Sequence, residues 1–204
     1  MKDLPPELAQ ALTPGAEDGQ RMQAWGLRVD AVLRRRFTRV HESAHAVMLT
    51  VLRGFERNYL SVDAADPQAS VKQAAQVEPS DNHDFVDLAG ICGEQRLVRP
   101  EQGYSHHHLQ GVRHDIQVVL ARLKISERDA VAWATKCWPF VMEAVDYFWS
   151  AIEAVAAAAP EHGKMLGQDI ALIVEANRPT SPTPARLIGR LKPAFVVDAN
   201  NGTL

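Results

Sequence analysis

From Arg34 to Arg53 the chain contains neither Gly nor Pro, and apolar residues recur at Phe37, Val40, Ala44, Val47, Met48, Val51 and Leu52. Intervals of three and four place these on one face of an α-helix, and Gly54 supplies a natural stop. A helical pattern already begins near Gln20 and runs, bent or broken near Gly26, into this segment. After Gly54 the period changes. Tyr59-Leu60-Ser61-Val62 and Ala69-Ser70-Val71-Lys72 read as short strands on either side of Asp66-Pro67, a small hairpin or sheet edge over about 59–75. The strand at Tyr59 to Val62 is also a candidate cleft edge against which an extended peptide could pair.

The polar residues Glu78 to His83 form a loop, and a helix is expected over about Asp84 to Val98, with Phe85, Leu88, Ala89, Cys92 and Leu97 on its apolar side. Arg99 to Gly111 reads as a loop and Val112 to Lys124 as a further helix. Ser126 before Glu127-Arg128-Asp129 has the form of an N-cap and an acidic first turn. The apolar stretch that follows, to Ala159, is interrupted by Pro139, which predicts one kinked helix or two consecutive ones. Gly163 to Ala176 reads as a loop and a short helix. Residues 1–20 form a flexible N-terminal segment, and residues 178–204, with four prolines, an irregular C-terminal arm. The expected fold is therefore mainly α: a helical domain over 21–177, with a small β element beside the helix that ends at Arg53.

Composition agrees with such a domain. Of the 204 residues 46% are apolar, enough for a core, and the net charge of −3 gives no footprint for non-specific nucleic-acid binding. The run Arg34-Arg35-Arg36 is short and reads as a solvated helix face. Cys92 and Cys137 are far apart, lack zinc-finger spacing and are expected to be reduced, which points to the cytoplasm. No signal peptide is visible, and no stretch reaches a membrane-spanning length.

The chemistry lies on the first long helix. His41-Glu42-Ser43-Ala44-His45 is an H-E-x-x-H run. Histidines four apart on a helix point the same way and can share one zinc ion, and the glutamate between them is suited to act as a general base. Zinc needs a third protein ligand. An H-x-x-G-x-x-H extension would require Gly at 48 and His at 51, where this chain has Met48 and Val51. A glutamate on a helix some twenty residues on is disfavoured by the strand and turn pattern there. The residues alone leave His83, Asp84, Glu94, His106, His107, His108, His114 and Asp115 open as the third ligand.

Three blocks, in order, resemble the FtsH-type zinc metallopeptidases. These are His41 to Ala46, similar to that family's HEAGHA motif; Leu88-Ala89-Gly90-Ile91-Cys92-Gly93-Glu94-Gln95, similar to its LxGGRAAEE helix; and His114-Asp115-Ile116-Gln117-Val118-Val119-Leu120-Ala121, similar to its NDLxxATxxA helix. The likeness spans roughly residues 35–177 and includes the turn Gly167-Gln168-Asp169-Ile170. It departs at Ala44 and His114, where the family has Gly and Asn, and in the altered Gly-Gly pair of the middle block. The chain also has no G-x-x-x-x-G-K-[ST] loop and no membrane anchor.

The resemblance implies a zinc endopeptidase that works without ATP on flexible or unfolded polypeptide. His41, His45 and Asp115 would be the metal ligands and Glu42 the general base. Glu94 would orient a ligand histidine, and His114 and His106 to His108 would border the cleft. Two rival classes are a catalytically silent binding or regulatory protein on the same fold, and a metal phosphohydrolase built on the pairs His83-Asp84 or His114-Asp115. Oligomeric state, substrate and oxyanion donor are not readable from the sequence.

Overall fold

The computed structural model describes residues 31–53, 58–61, 70–73, 83–98, 124, 127–160 and 164–198. The expected flexible segment 1–20, the helix over 112–124 and the His106–His108 loop lie outside the described residues, and so do His114 and Asp115. In chain order the elements are α1 (Ala31–Arg53), β1 (Asn58–Ser61), β2 (Ser70–Gln73), α2 (His83–Leu97), α3 (Glu127–Tyr147), α4 (Trp149–Ala158), β3 (Lys164–Leu166) and α5 (Gly167–Ala176), followed by a short 3-10 turn at Pro193–Phe195. The protein is mainly helical, with a small β element beside α1.

Helix α1 is the axle of the fold. All seven residues of its predicted apolar stripe are buried, and so are Ala46 and Leu49, which lie off that stripe. Burial around the whole circumference arises because α2, α4, α5 and the sheet all pack on this one helix. Each large side chain removed from water there contributes about 1.5–3 kcal/mol. Polar Thr50 is accommodated by donating its hydroxyl to the Ala46 carbonyl at 2.9 Å, one turn back.

The sheet has the order β2-β1-β3, antiparallel throughout, with Leu60 opposite both Val71 and Met165. The hairpin of the sequence pattern is present, but β1 is its central strand. Both hydrogen-bonding sides of Tyr59 to Ser61 are taken by neighbouring strands, so this strand cannot serve as a cleft edge for an extended peptide. The edges are β2 and β3.

The long apolar stretch divides at Phe148, not at Pro139. Pro139 sits inside α3. Thr135, one turn before it, lies on an exposed face of the helix. Phe148 departs from helical geometry with φ −96° and ψ 18°, yet its amide still bonds to the Ala144 carbonyl at 2.9 Å. Its fully buried ring packs edge-on against Tyr147 and Phe195, which turns α4 back over α1.

The C-terminal arm is irregular, as its prolines predict, but it is part of the core. Leu187 and Leu191 are buried. The Lys192 amide donates to the Val51 carbonyl at 3.0 Å, satisfying one of the orphan carbonyls in the last turn of α1. The Tyr147 hydroxyl donates to the Ser181 carbonyl at 2.8 Å and ties the arm to α3.

Cys92 and Cys137 are both buried and free. Burial pushes the Cys92 thiol well above its ordinary pKa, and the nearby Asp146 carboxylate adds to the shift. Thiolate is the reactive form. Alkylation of Cys92 in native protein at pH 8, followed by peptide mass spectrometry, should therefore run at least about 100-fold slower than in denatured protein.

Candidate metal centre

The centre is built where α1 meets α2. The two helices approach closely because glycines occupy the contact face of α2. A Cβ built on Gly93 would stand 3.0 Å from the Ala44 Cβ, and one built on Gly90 would stand 2.5 Å from His45 Nε2 and 2.6 Å from His41 Nε2. Gly90 is the floor on which both imidazoles rest.

The four-residue spacing brings His41 and His45 together as the helix period requires, with Nε2 of one 3.1 Å from Nε2 of the other. His41 is 5% exposed and Glu42 6%, while His45 is half-buried, so the pair sits at the boundary between core and solvent. Each ring is held at its far nitrogen by α2. Nδ1 of His45 donates to the Val86 carbonyl at 2.5 Å. Nδ1 of His41 lies 2.8 Å from Oε1 of Glu94, whose side chain is 1% exposed; the approach is that of an ion pair rather than an aligned hydrogen bond. Carbonyl and carboxylate oxygens are acceptors, so the protons in these contacts belong on the two Nδ1 atoms.

That placement decides what the Nε2 atoms can do. A proton on one Nε2 would make their 3.1 Å contact a hydrogen bond; with both protons on Nδ1, the two Nε2 lone pairs instead face each other. Such an arrangement repels unless a cation, proton or metal ion, sits between them. Two Zn–N bonds of about 2.0–2.1 Å opening near the tetrahedral angle place their nitrogens about 3.4 Å apart. The histidine pair thus fits a shared zinc ion in both spacing and tautomer.

Among the described residues no group of three His, Cys, Asp or Glu side chains is assembled for a metal ion. The third ligand expected at Asp115 lies outside the described residues, as do the cleft residues expected at His106, His107, His108 and His114. His83 and Asp84 open α2, and their side chains lie outside as well. No protein-family model matches the chain, and no curated protein matches it significantly.

Two contributors escape a reading based on side-chain chemistry. The Val86 carbonyl is backbone and leaves no trace in residue type. Gly90 leaves one: a glycine within a helical pattern marks close approach, and it stands one turn before Glu94 on the same face.

Two residues beyond Glu94, Arg96 pairs with Asp146 of α3 and stacks 4.7 Å over the Trp149 ring. Replacing Glu94 by Gln keeps the shape but removes the charge that fixes the His41 tautomer. Zinc affinity of Glu94→Gln, read by competition with a chromophoric chelator, should fall about 10- to 100-fold, with helical content unchanged.

Proposed function

We propose that the chain is a zinc-dependent endopeptidase of the FtsH-like kind, working without ATP on flexible or unfolded polypeptide. The observation that carries this reading is the pair of imidazoles with both Nδ1 atoms engaged by α2 and both Nε2 atoms turned on one point. His41 and His45 would hold the metal, with Asp115 as the third ligand implied by the family resemblance. A zinc ion there supplies an acidified water and a Lewis acid for the scissile carbonyl.

The chain's own residues do the rest. Glu42, on the helix step after His41 and largely shielded from solvent, accepts the proton of the attacking water and returns it to the departing amine. Glu94 and the Val86 carbonyl keep the ring orientations fixed while the charge on the site changes.

We place the protein in the cytoplasm. Both cysteines are buried thiols outside any disulfide, which suits a reducing compartment.

The test is metal content and cleavage together. Purified protein should carry close to one equivalent of zinc and degrade a natively unfolded substrate such as casein, with activity lost to a chelator and restored by zinc. His45→Ala and Asp115→Ala should lose both metal and activity. Stoichiometric zinc with no cleavage of any unfolded chain would move the protein to the silent, regulatory class. Full metal retention in Asp115→Ala would remove that residue from the ligand set.

A further inference from the structure

On a different face of α1 from the histidines, the helix borders a cavity of about 410 Å³. Its apolar floor is made by Val40, Leu97, Ala156 and Ala157, from α1, α2 and α4. Arg35, Arg36 and Arg39 line it from α1, and Glu153 lines it from α4. Among the described residues none of the three guanidinium groups has a carboxylate partner, and Nε of Arg39 is buried without an acceptor.

Arg35 and Arg36 are exposed, as a solvated helix face requires, whereas Arg39 is half-buried. Arg96 pairs with Asp146 and stacks on Trp149, Arg178 pairs with Glu175 and stacks on Phe195, and Arg190 stacks on Phe140. In this cavity three arginines converge over apolar surface against the single carboxylate of Glu153. A planar donor fork beside an apolar floor is matched by a carboxylate with an adjoining hydrophobic group. A nucleic-acid backbone is a poorer match, since three cations with Glu153 in the same wall sit in a chain of net charge −3.

We infer that Arg35, Arg36 and Arg39 form an exosite that captures an acidic, apolar segment of a polypeptide away from the metal centre. The peptide nature of the ligand rests on the peptidase reading; the selectivity for a carboxylate does not. Without an unfoldase to deliver chains, such an anchor would raise the local concentration of flexible substrate.

The test separates binding from turnover. In a Glu42→Gln background, fluorescence anisotropy is read for a labelled peptide of alternating Leu and Glu and for its counterpart with Gln in place of Glu. The acidic peptide should bind about 10-fold tighter, and the preference should weaken as salt is raised. Arg35→Gln/Arg36→Gln, at two exposed positions where folding is little affected, should abolish the preference, whereas Arg35→Lys/Arg36→Lys should retain part of it.

Equal affinity for the two peptides, or a preference that survives Arg35→Gln/Arg36→Gln, would overturn the inference. Displacement of the peptide by inorganic phosphate at equal concentration would also overturn it and assign the cavity to a small anion. If wild-type protein cleaves casein but the Glu42→Gln protein, with all three arginines in place, shows no peptide preference, the exosite alone is removed. Retained preference in a protein that neither holds zinc nor cleaves removes the peptidase reading alone.

Discussion

Glu42→Gln should lower kcat/KM on an unfolded substrate by at least about 1,000-fold, equivalent to about 4 kcal/mol of transition-state stabilisation, while zinc content stays at the wild-type level. The amide is close to isosteric with the carboxylate, so the packing around a residue 6% exposed is nearly unchanged. It cannot accept the proton of the attacking water. The metal should be indifferent, because both imidazoles are held from α2. Glu42→Asp gives a graded comparison: the base is kept but withdrawn by a methylene, and activity should fall between the two. Undiminished turnover in Glu42→Gln would remove the general-base role and with it the proposed mechanism. Loss of zinc along with activity would show instead that the carboxylate belongs to the ligand set.

How legible the fold is depends on how local its causes are. The stripe from Phe37 to Leu52 is buried as its spacing predicts, because helix periodicity is a local property and every stripe residue meets a neighbour. The boundaries of α2 fall within a residue of the pattern for the same reason. Strand β3 was not legible: Lys164-Met165-Leu166 has one inward residue, too few for a period-2 signal, and exists only because β1 offers it a free edge. That same pairing buries the edge that Tyr59 to Val62 was expected to offer. The break at Phe148 is likewise tertiary, set by where an aromatic ring must be buried and not by the proline.

The site divides along the same line. His41, Glu42 and His45 are visible as a helix motif, and the nearness of the two rings follows from their spacing. Their orientation does not. It is set by partners more than forty positions away, the Val86 carbonyl for His45 and the Glu94 carboxylate for His41. Glu94 is a candidate in the sequence because a carboxylate can orient a ligand histidine, whereas a backbone carbonyl has no residue type to announce it. Gly90 stood in view as part of a block of residues, but its role as the floor of the site requires the crossing of α1 and α2.

The largest structural effect is expected at that glycine. In Gly90→Ala the new methyl carbon would lie 2.5 Å from His45 Nε2 and 2.6 Å from both Cε1 and Nε2 of His41, distances that non-bonded atoms do not adopt. The rings cannot simply swing away, because their opposite nitrogens are held by Val86 and Glu94. Either those contacts break or the helices part, and each outcome separates the two Nε2 atoms. Zinc affinity should fall by at least about 100-fold, or about 2.7 kcal/mol.

Stability should respond much less. Alanine in mid-helix is favoured over glycine by about 1 kcal/mol, which offsets part of an overpacking cost of about 1–3 kcal/mol. Gly93→Ala is the control. Its methyl would press on Ala44 and Val40 at 3.0 and 3.3 Å without touching either imidazole. It should lower Tm yet leave the folded protein able to bind zinc. Calorimetry beside chelator competition distinguishes the two variants. If Gly90→Ala binds zinc as tightly as wild type, the metal does not sit between His41 and His45 above this floor.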